Sequence, residues 1–542
     1  MGVRVPPFAP ITYVARQTSP RGPVQPRFNF AHGCCRAFHP VEGVEDCLIP
    51  PTMASRAAKP VRQEDSRVRI LLVKPSPRLG TIRGLQSFQF LEPLELGYLA
   101  AAAPAGHDIR VADLRRARFP EHSFRCTLRR FRPDLVGFTG YTHEASAIRR
   151  LARLTREDCP AARVVVGGHH ATVAPADFDG AEIDAVVRGE GCAPFRALVE
   201  RTARGEEFDG LPHVRIPRTG RGAEELPRYP DPATLPTPRR DLWPVRAYRS
   251  VWLAEGGRPF QPLFPPVSTV RTSYGCRMQC TFCVVPFLSE GRHLGRPVEQ
   301  VADEIAALAA DHVYFVDDEN FLDEEHALAL ADALAARRVR KRYFAWTRAT
   351  TVLRSPEILK RWREIGLDGA FLGFEFTSDR ELRAVRKGGT VAANERALDR
   401  LRALGIAVHA AFMLIPESSA EDFARLRAYV RALPPVQCSF TICTPSPGTP
   451  DYQALDGRFW IDNPHDLHDC MHPLTPTSLR LREFSRLYAE QVVEGIALTP
   501  ARIERRPLLP PDILRAFVAS RRYAHGYQNL YQDYPRELWD QA

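Results

Sequence analysis

The run Tyr274-Gly-Cys-Arg-Met-Gln-Cys-Thr-Phe-Cys283 is the most informative segment of this chain. Its cysteines Cys276, Cys280 and Cys283 follow the spacing C-x3-C-x2-C, and the aromatic residue Phe282 directly precedes the last of them. Three thiolates this close together can hold three irons of a [4Fe–4S] cube. The next cysteine along the chain is Cys438, so the fourth iron has no thiolate nearby and is open to another ligand. Such an open iron is typical of a catalytic cluster, because electron-transfer clusters carry four thiolates.

A zinc site is the alternative for the same cysteines. Zinc prefers four ligands and often takes them from paired C-x2-C knuckles. Here only three cysteines cluster, and the nearest downstream histidine is His293. The spacing therefore favours an iron–sulfur cluster over zinc.

The cysteine run, with its aromatic residue at 282, resembles the signature of the radical S-adenosylmethionine superfamily. The resemblance implies a [4Fe–4S] cluster on the three cysteines and S-adenosylmethionine bound to the open iron. It also implies that an electron from the cluster breaks the sulfonium bond and releases a 5′-deoxyadenosyl radical. An electron donor such as flavodoxin or ferredoxin is implied with it.

Strand and helix patterns alternate around and after the cysteine loop. A helix is predicted at 298–310, and strands are predicted at 268–273, 313–316, 343–347, 370–374, 408–414 and 438–443. Six strands with intervening helices are typical of the partial (β/α)6 barrel of the superfamily that the cysteine run resembles. In such barrels the chemistry lies at the carboxyl ends of the strands.

Those strand ends supply candidate contacts to S-adenosylmethionine. Together with Phe282 in the cysteine loop, the resemblance singles out Asp317 after the second strand, Arg348 after the third and Glu375 after the fourth. Asp317 is alternatively a cap of the next helix, and Arg348 a surface ion-pair partner. A carboxylate such as Glu375, buried at a strand end, is costly without a partner, which favours a ligand role for it.

A second alternating pattern precedes the cysteine loop. Apolar runs of strand length occupy 68–74, 107–113, 135–140, 163–168 and 184–190, and helical patterns such as 91–103 and 144–156 lie between them. This alternation predicts an α/β fold with a parallel, doubly wound sheet, whose ligands bind at the carboxyl ends of the strands. Glycines at those ends let a backbone approach a bulky ligand closely. No G-x-G-x-x-G opens a helix after the first strand, which disfavours a dinucleotide.

This Rossmann-like pattern, placed before the cysteine loop, resembles the cobalamin-binding domain of class B radical S-adenosylmethionine methyltransferases. The segments that carry the resemblance are Val73-Lys-Pro75, Leu94-Glu-Leu-Gly-Tyr-Leu-Ala100, Val136-Gly-Phe-Thr-Gly140, Val165-Val-Gly-Gly-His-His170 and Arg188-Gly-Glu-Gly191. The resemblance implies cobalamin, held at Thr139, Gly140, Tyr141, Gly167, Gly168, His169, Gly189, Glu190 and Gly191.

The lower face of the cobalt lacks the histidine that many cobalamin proteins supply in an Asp-x-His-x-x-Gly segment. The corresponding strand end reads Asp113-Leu-Arg115, so the resemblance implies cobalamin without a histidine lower ligand from this motif. His169 and His170 are alternative cobalt ligands, but we expect them to line the loop after the fourth strand.

The composition limits the classes of binding partner that we expect. The 542 residues contain 74 Lys and Arg against 64 Asp and Glu, a net charge of +10, which is compatible with a nucleic-acid or anionic-membrane partner. Arginine almost replaces lysine throughout and no nucleic-acid-binding motif occurs, so we expect no nucleic acid. The chain shows neither an apolar run of membrane-spanning length nor an apolar signal core. A thiolate-held cluster needs a reducing compartment, so we expect a cytoplasmic protein, with membrane association as an option.

The patterns divide the chain into five parts. Residues 1–66 are rich in proline and arginine, and we expect a disordered or mis-started extension in which Met53 is an alternative initiator and Cys34, Cys35 and Cys47 are alternative metal ligands. The remaining parts are a cobalamin-binding domain (67–204), a linker (205–265), a radical S-adenosylmethionine domain (266–455) and a mostly helical C-terminal cap (456–542).

Together the two resemblances imply an enzyme that methylates an unactivated carbon of a small-molecule or lipid substrate; no residue is singled out as catalytic. Within the class the chain resembles the hopanoid C-3 methylase group, on the segments 91–96 and 472–478. This implies a pentacyclic lipid substrate and peripheral membrane contact. The alternatives are a cobalamin-dependent cyclase or oxidoreductase, a natural-product methylase and, from another class, a non-catalytic cobalamin- or zinc-binding regulator.

Overall fold

The computed structural model describes residues 67–220, 222, 229–254, 261–434, 436–503 and 509–542. All of them belong to one unit, Gln63–Ala542. The predictions for the extension 1–66, including those for Met53 and its three cysteines, lie outside the described residues.

The N-terminal part alternates strands and helices. Its strands are β1 (Arg69–Lys74), β2 (Gln89–Phe90), β3 (Asp108–Asp113), β4 (Leu135–Thr139), β5 (Arg163–Gly167), β6 (Ala185–Val187) and β7 (Val214–Arg215). Its helices are α1 (Gly80–Leu85), α2 (Leu94–Ala102), α3 (Pro120–Phe131), α4 (Ala145–Asp158), α5 (His169–Val173) and α6 (Cys192–Arg204).

Six of these strands form one sheet in the order β3-β1-β4-β5-β6-β7, parallel except for β7. Strand β1 lies between β3 and β4, and its residues 70–73 are fully buried, as an apolar run covered on both faces of a parallel sheet should be. The strand order reverses between β1 and β4, so a ligand crevice is expected at their carboxyl ends. The predicted doubly wound sheet is confirmed.

The second part contains strands β8 (Arg249–Ser250), β9 (Val267–Val270), β10 (Ser273–Tyr274), β11 (Leu294–Gly295), β12 (His312–Phe315), β13 (Arg342–Thr347), β14 (Leu367–Glu375), β15 (Ala407–Leu414) and β16 (Gln437–Ile442). Its helices are α7 (Val285–Leu288), α8 (Val298–Ala306), α9 (Glu324–Ala336), α10 (Ala349–Arg354), α11 (Pro356–Ile365), α12 (Asp379–Ala384), α13 (Val391–Ala403), α14 (Ala420–Ala432) and α15 (Pro450–Ala454).

Six strands of this part form a parallel sheet in the order β9-β12-β13-β14-β15-β16. The order in space follows the order in sequence, so each strand is joined to its neighbour by a helix that packs on the same side. This confirms the predicted partial (β/α)6 barrel, in which the carboxyl ends of all six strands meet on one face.

Two long helices, α16 (Leu481–Ile503) and α17 (Pro510–Gln528), confirm the helical C-terminal region. Helix α17 packs closely on α1, because a Cβ atom on Gly84 would lie 2.8 Å from the Cα atom of Tyr523. None of the described helices combines the length and the apolar composition that crossing a bilayer requires.

The segment predicted as a linker carries buried aromatic residues that join both sheets. The Trp243 indole donates to the carboxylate of Glu92 at 2.8 Å, and that of Trp252 donates to Asp368 at 2.9 Å. Strand β8 pairs with β2 in antiparallel fashion. The sequence predicted little core here because these aromatic residues follow no period. The domain boundaries themselves stay predictions.

Candidate functional site

The three clustered cysteines lie on the loop between β10 and α7, at the carboxyl end of the first barrel strand. Cys276 and Cys280 are buried, Cys283 is half-buried next to the half-buried Phe282, and all three are free thiols. Burial raises the pKa of the Cys283 thiol to about 12. Metal coordination ionises such thiols, and a cluster of three soft sulfur donors fits iron–sulfur chemistry. The assignment of a cluster to these residues stays a prediction.

Asp317 holds the beginning of this loop. Its carboxylate accepts hydrogen bonds from the backbone N–H of Thr272 at 3.0 Å and from the hydroxyls of Thr272 and Ser273 at 2.7 Å each. The side chain is buried and directed at these donors, so Asp317 positions the cysteine loop. Its contact with S-adenosylmethionine stays a prediction. The neighbouring Asp318 accepts from the N–H of Gly275 at 2.8 Å and reinforces the same turn.

Arg348 faces the cysteine loop from the end of β13. Its Nη1 donates to the Sγ atom of Cys280 at 3.5 Å, and its Nη2 donates to the backbone oxygen of Lys387. The side chain is buried, and among the described residues its Nε finds no hydrogen-bond partner. This excludes the alternative of a surface ion pair and places a cation beside a predicted thiolate. Its contact with S-adenosylmethionine stays a prediction.

Glu375 ends β14 in a left-handed backbone conformation, with φ of 63°. A non-glycine residue in that region costs about 1–3 kcal/mol and is commonest at functional sites. The carboxylate forms an ion pair with the ammonium group of Lys387, and each side chain is only 12% exposed. The sequence argument for a ligand role assumed a carboxylate without a partner; Lys387 is that partner, so the argument is corrected. The ligand role itself stays a prediction.

Sequence reasoning missed a second attachment of the cysteine loop. The hydroxyl of Thr281 donates to Asp451 at 2.8 Å, and the N–H of Thr281 donates to the backbone oxygen of Val385 at 3.1 Å. Asp451 belongs to α15, far along the chain, and no local pattern indicates this contact. The loop is therefore fixed at its start by Asp317 and in its middle by Thr281.

The residues predicted to hold cobalamin lie on three loops, after β4, β5 and β6. All nine of them line one cavity of about 830 Å³. The cavity continues to Tyr274, Gly275, Val284 and Val285 of the cysteine loop and to Asp318. It thus joins the strand ends of the first sheet to the cysteine loop of the second.

The glycines on these loops are required by space and backbone geometry. Gly168 has φ of 94°, and a Cβ atom there would lie 2.5 Å from the hydroxyl oxygen of Thr139. Gly189 has φ of 74°, and its N–H donates to the hydroxyl of Thr172 at 3.0 Å. Side chains at these positions would fill the cavity wall, so the cradle fits a bulky, flat ligand. The carboxylate of Glu190 accepts from the N–H of Cys192 and therefore caps α6.

The two consecutive histidines after β5 diverge. His169 lines the cavity, and burial, together with neighbouring histidines, lowers its pKa to about 4. His170 is fully buried and its Nε2 lies 2.9 Å from the carboxylate of Asp177, which also contacts His465. His169 therefore faces the cavity, whereas His170 is directed at Asp177, and a cobalamin contact of His169 stays a prediction.

A buried ion pair at the switch point was also missed. Lys74, the last residue of β1, lies 3.3 Å from carboxylate oxygens of both Glu144 and Glu95. Burial lowers the pKa of Lys74, but the two carboxylates outweigh it and raise that pKa. The ammonium group also lies 4.9 Å from the centre of the Tyr141 ring. The pair fixes Tyr141 at the edge of the cavity.

Comparison with known proteins agrees with this division of the chain. Residues 80–199 match the family described as B12 binding domain, and residues 270–430 match the radical SAM superfamily. The hopanoid C-3 methylase of Methylococcus capsulatus is 30% identical over 422 residues, which cover 77% of this chain and 78% of that protein.

Two further similarities concern reaction and fold. The anaerobic magnesium-protoporphyrin IX monomethyl ester cyclase of Rubrivivax gelatinosus is 25% identical over 403 residues, 72% of this chain and 70% of that protein. The solved structure of the cobalamin-dependent S-adenosylmethionine radical enzyme OxsB superposes with a TM-score of 0.63 at 14% identity, covering 86% of this chain and 72% of that one. At this identity the likeness shows the fold.

Proposed function

The chain belongs to the cobalamin-dependent radical S-adenosylmethionine methyltransferases, and from that premise we propose that it methylates an unactivated carbon of a hopanoid-type lipid. Its cofactors are cobalamin, S-adenosylmethionine and a [4Fe–4S] cluster. The proposal concerns the substrate class and the residues that hold each group.

One observation supports the proposal above the others: a single cavity joins the glycine loops of the first sheet to the cysteine loop of the second. When bound, cobalamin supplies a methyl group and the cluster with S-adenosylmethionine supplies a carbon radical. When one site holds the methyl donor and the radical source next to the same substrate, the reacting groups meet in a fixed geometry and need no separate collision. The protein's own task is therefore to orient the groups and to exclude water.

In this proposal each set of side chains has a separate task. Cys276, Cys280 and Cys283 hold the cluster, and the cationic Arg348 offsets the negative charge of their thiolates. The carboxylate of Glu375 accepts hydrogen bonds from the hydroxyl groups of the S-adenosylmethionine ribose. Its partner Lys387 forms an ion pair with this carboxylate and orients it.

A lipid substrate suits the apolar part of the cavity wall. Its apolar lining residues include Leu85, Leu91, Leu94, Leu99 and Leu288. A fused-ring hydrocarbon gains free energy from burial against such residues without needing an ionic partner. The similarity to the methylase of Methylococcus capsulatus supports the same substrate class. The proposal includes peripheral membrane contact, a cytoplasmic site of action and a donor such as flavodoxin or ferredoxin.

The test is an anaerobic assay of the full chain, reconstituted with iron, sulfide and cobalamin and supplied with S-adenosylmethionine and a strong reductant. With an unmethylated hopanoid, 5′-deoxyadenosine and S-adenosylhomocysteine should rise together with a product heavier by one methyl group. Each is followed by mass spectrometry, with reactions lacking the hopanoid as the control.

Other results would separate the second candidate, which the similarity to the ester cyclase supports. Deoxyadenosine without S-adenosylhomocysteine would indicate cyclisation or oxidation. Both products without hopanoid methylation would retain the methyltransferase and reject the substrate. The assay would then be repeated with polar natural products.

A further inference from the structure

The outer face of α17 carries an apolar stripe. Ile513, Leu514, Phe517 and Val518 are 54%, 64%, 58% and 40% exposed. Their spacing of one, three and one residues places them side by side on one face of the helix. They are half of the eight large hydrophobic side chains that are exposed in the described part of the chain, so they form a patch and not a random scatter. A contiguous exposed apolar patch marks an interaction surface.

The inner face of α17 is already satisfied. The carboxylate of Asp512 accepts from the N–H of Leu263 at 2.7 Å, and the Tyr523 ring lies edge-on to Phe88 at 5.5 Å. Tyr527 is fully buried, and its hydroxyl donates to that of Tyr523 at 3.1 Å. The outer stripe is therefore not a core face left over from this packing.

Exposed arginines accompany the stripe on the same helix, namely Arg515, Arg521 and Arg522. The guanidinium of Arg521 lies 5.7 Å from the centre of the Phe517 ring, and that of Arg515 lies 5.8 Å from the centre of the Phe264 ring. The one acidic residue of the helix, Asp512, is buried and engaged on the inner face. A helix with an apolar stripe, arginines beside it and no exposed acidic side chain has the composition of interfacial helices on anionic lipid.

The inner face of α17, opposite the stripe, packs on an element of the cavity wall. A Cβ atom on Gly526 would lie 2.7 Å from the backbone oxygen of Gly80, so α17 and α1 touch along their backbones. On its other side α1 contributes Ile82 and Leu85 to the lining of the cavity. Helix α17, which carries the stripe, therefore packs directly on a helix that lines the proposed reaction space.

We propose that the outer face of α17 docks on the surface of an anionic lipid bilayer. Ile513, Leu514, Phe517 and Val518 insert among the headgroups, and the three arginines contact lipid phosphates. The lipid substrate then enters the cavity beside α1. The docking stands on the surface itself, whereas the entry of substrate rests on the proposed function.

The test is sedimentation of the reconstituted full chain with vesicles of phosphatidylcholine, alone or mixed with phosphatidylglycerol. The double substitution L514E/F517E should weaken binding to the mixed vesicles by about tenfold or more, because it removes the apolar insertion and repels the phosphates. Phe119→Glu is the matched control, since Phe119 is an isolated side chain that is also 64% exposed. It should bind as the unsubstituted protein does.

Two outcomes would overturn the docking. One is absence of binding to the mixed vesicles by the unsubstituted protein; the other is equal binding by L514E/F517E. If sedimentation equilibrium instead shows a dimer that this substitution dissociates, the face is an interface between two copies. If the double variant does not fold, Phe517→Trp replaces it, and its fluorescence should shift to the blue only with anionic vesicles.

The docking and the proposed function fail in different ways. The folded L514E/F517E should methylate detergent-solubilised hopanoid at the normal rate and lose activity only on hopanoid embedded in vesicles. Equal loss on both forms would overturn the entry route. Vesicle binding without methylation of either form would leave the docking in place and reject the proposed substrate.

Discussion

The carboxyl ends of the two sheets solve different recognition problems. After β4, β5 and β6 several glycines leave an open wall between larger side chains such as Tyr141 and His169, and the Lys74–Glu144 pair lies at its edge. At the barrel ends the space is occupied by charged groups that already have partners, for example Asp317 with the loop donors and Glu375 with Lys387. A large neutral ring system needs room and close backbone approach, whereas a small charged ligand needs oriented charges.

Removal of a predicted cluster ligand should have the largest effect. Cys280→Ala takes one of three thiolates from the cluster, so we expect loss of its visible absorption, its iron and all turnover, while cobalamin binding remains. Cys438→Ala is the control, because Cys438 lies on β16 outside the cluster loop. Iron analysis and the deoxyadenosine assay measure both variants. Retained turnover in Cys280→Ala would contradict the assignment of the barrel ends.

A side chain in the glycine wall should act on the other cofactor alone. Gly168→Ala places a Cβ atom 2.5 Å from the Thr139 hydroxyl, so we expect about tenfold or greater loss of cobalamin affinity with the iron content unchanged. Gly106→Ala is the matched control: its φ is also 94°, but no atom lies within 4 Å of the added Cβ. Both glycines have this positive φ, but only the Cβ atom added at Gly168 meets the cavity wall. Equal affinities would reject the wall.

Substitution of the two barrel carboxylates should impair different properties of the protein. Asp317→Asn weakens a set of hydrogen bonds to a charged acceptor, so we expect about 1–3 kcal/mol less stability and incomplete cluster occupancy. Glu375→Gln should keep the cluster and raise the Kd for S-adenosylmethionine by about tenfold, the loss of a charge-assisted hydrogen bond. Calorimetry of unfolding, iron analysis and equilibrium binding measure these. Loss of cluster in both variants would remove the distinction between positioning and ligand binding.

The smallest effect on cofactor binding is expected from a buried charge between the two regions. His472 is buried between Asp469 at 2.9 Å and Asp533 at 3.2 Å, and Asp469 also accepts from Thr81 of α1. Burial lowers the pKa of His472, but the two carboxylates outweigh it and raise that pKa to about 9. Its contribution to stability should therefore be complete below about pH 6.5, where the histidine is also charged in the unfolded chain, and be lost as the pH rises through 9.

The measurement is the thermal midpoint of unfolding between pH 6 and pH 10, compared with that of His472→Gln. The unsubstituted protein should lose on the order of 3 kcal/mol of stability across this range beyond any loss in the variant. Parallel curves would show that the pKa of His472 is not raised by folding.

The alternation of strands and helices was predictable because a strand buried on both faces is a short continuous apolar run, as in residues 70–73. The glycine wall was predictable too, since a residue without a side chain has few reasons to recur at strand ends other than close approach. The tasks of Asp317 and His170 were not, because each depends on a partner brought in by the fold: Thr272 for one, Asp177 for the other. Thr281–Asp451 and Trp252–Asp368 escaped for the same reason. Residue type identifies a candidate ligand, and only the tertiary structure shows which other residue is already its hydrogen-bond partner.

The contact of α1 with the C-terminal region can form only late in the synthesis of the chain. The hydrogen bond from Thr81 to Asp469 joins residues 388 positions apart. At about 5–20 residues per second, a ribosome needs roughly 20–80 s to make the second partner after the first. During that interval both cofactor-binding sheets are largely synthesised while the wall formed by α1 still lacks its support. We expect cobalamin to enter most easily then, so its supply during synthesis should determine how much of the protein becomes holoenzyme.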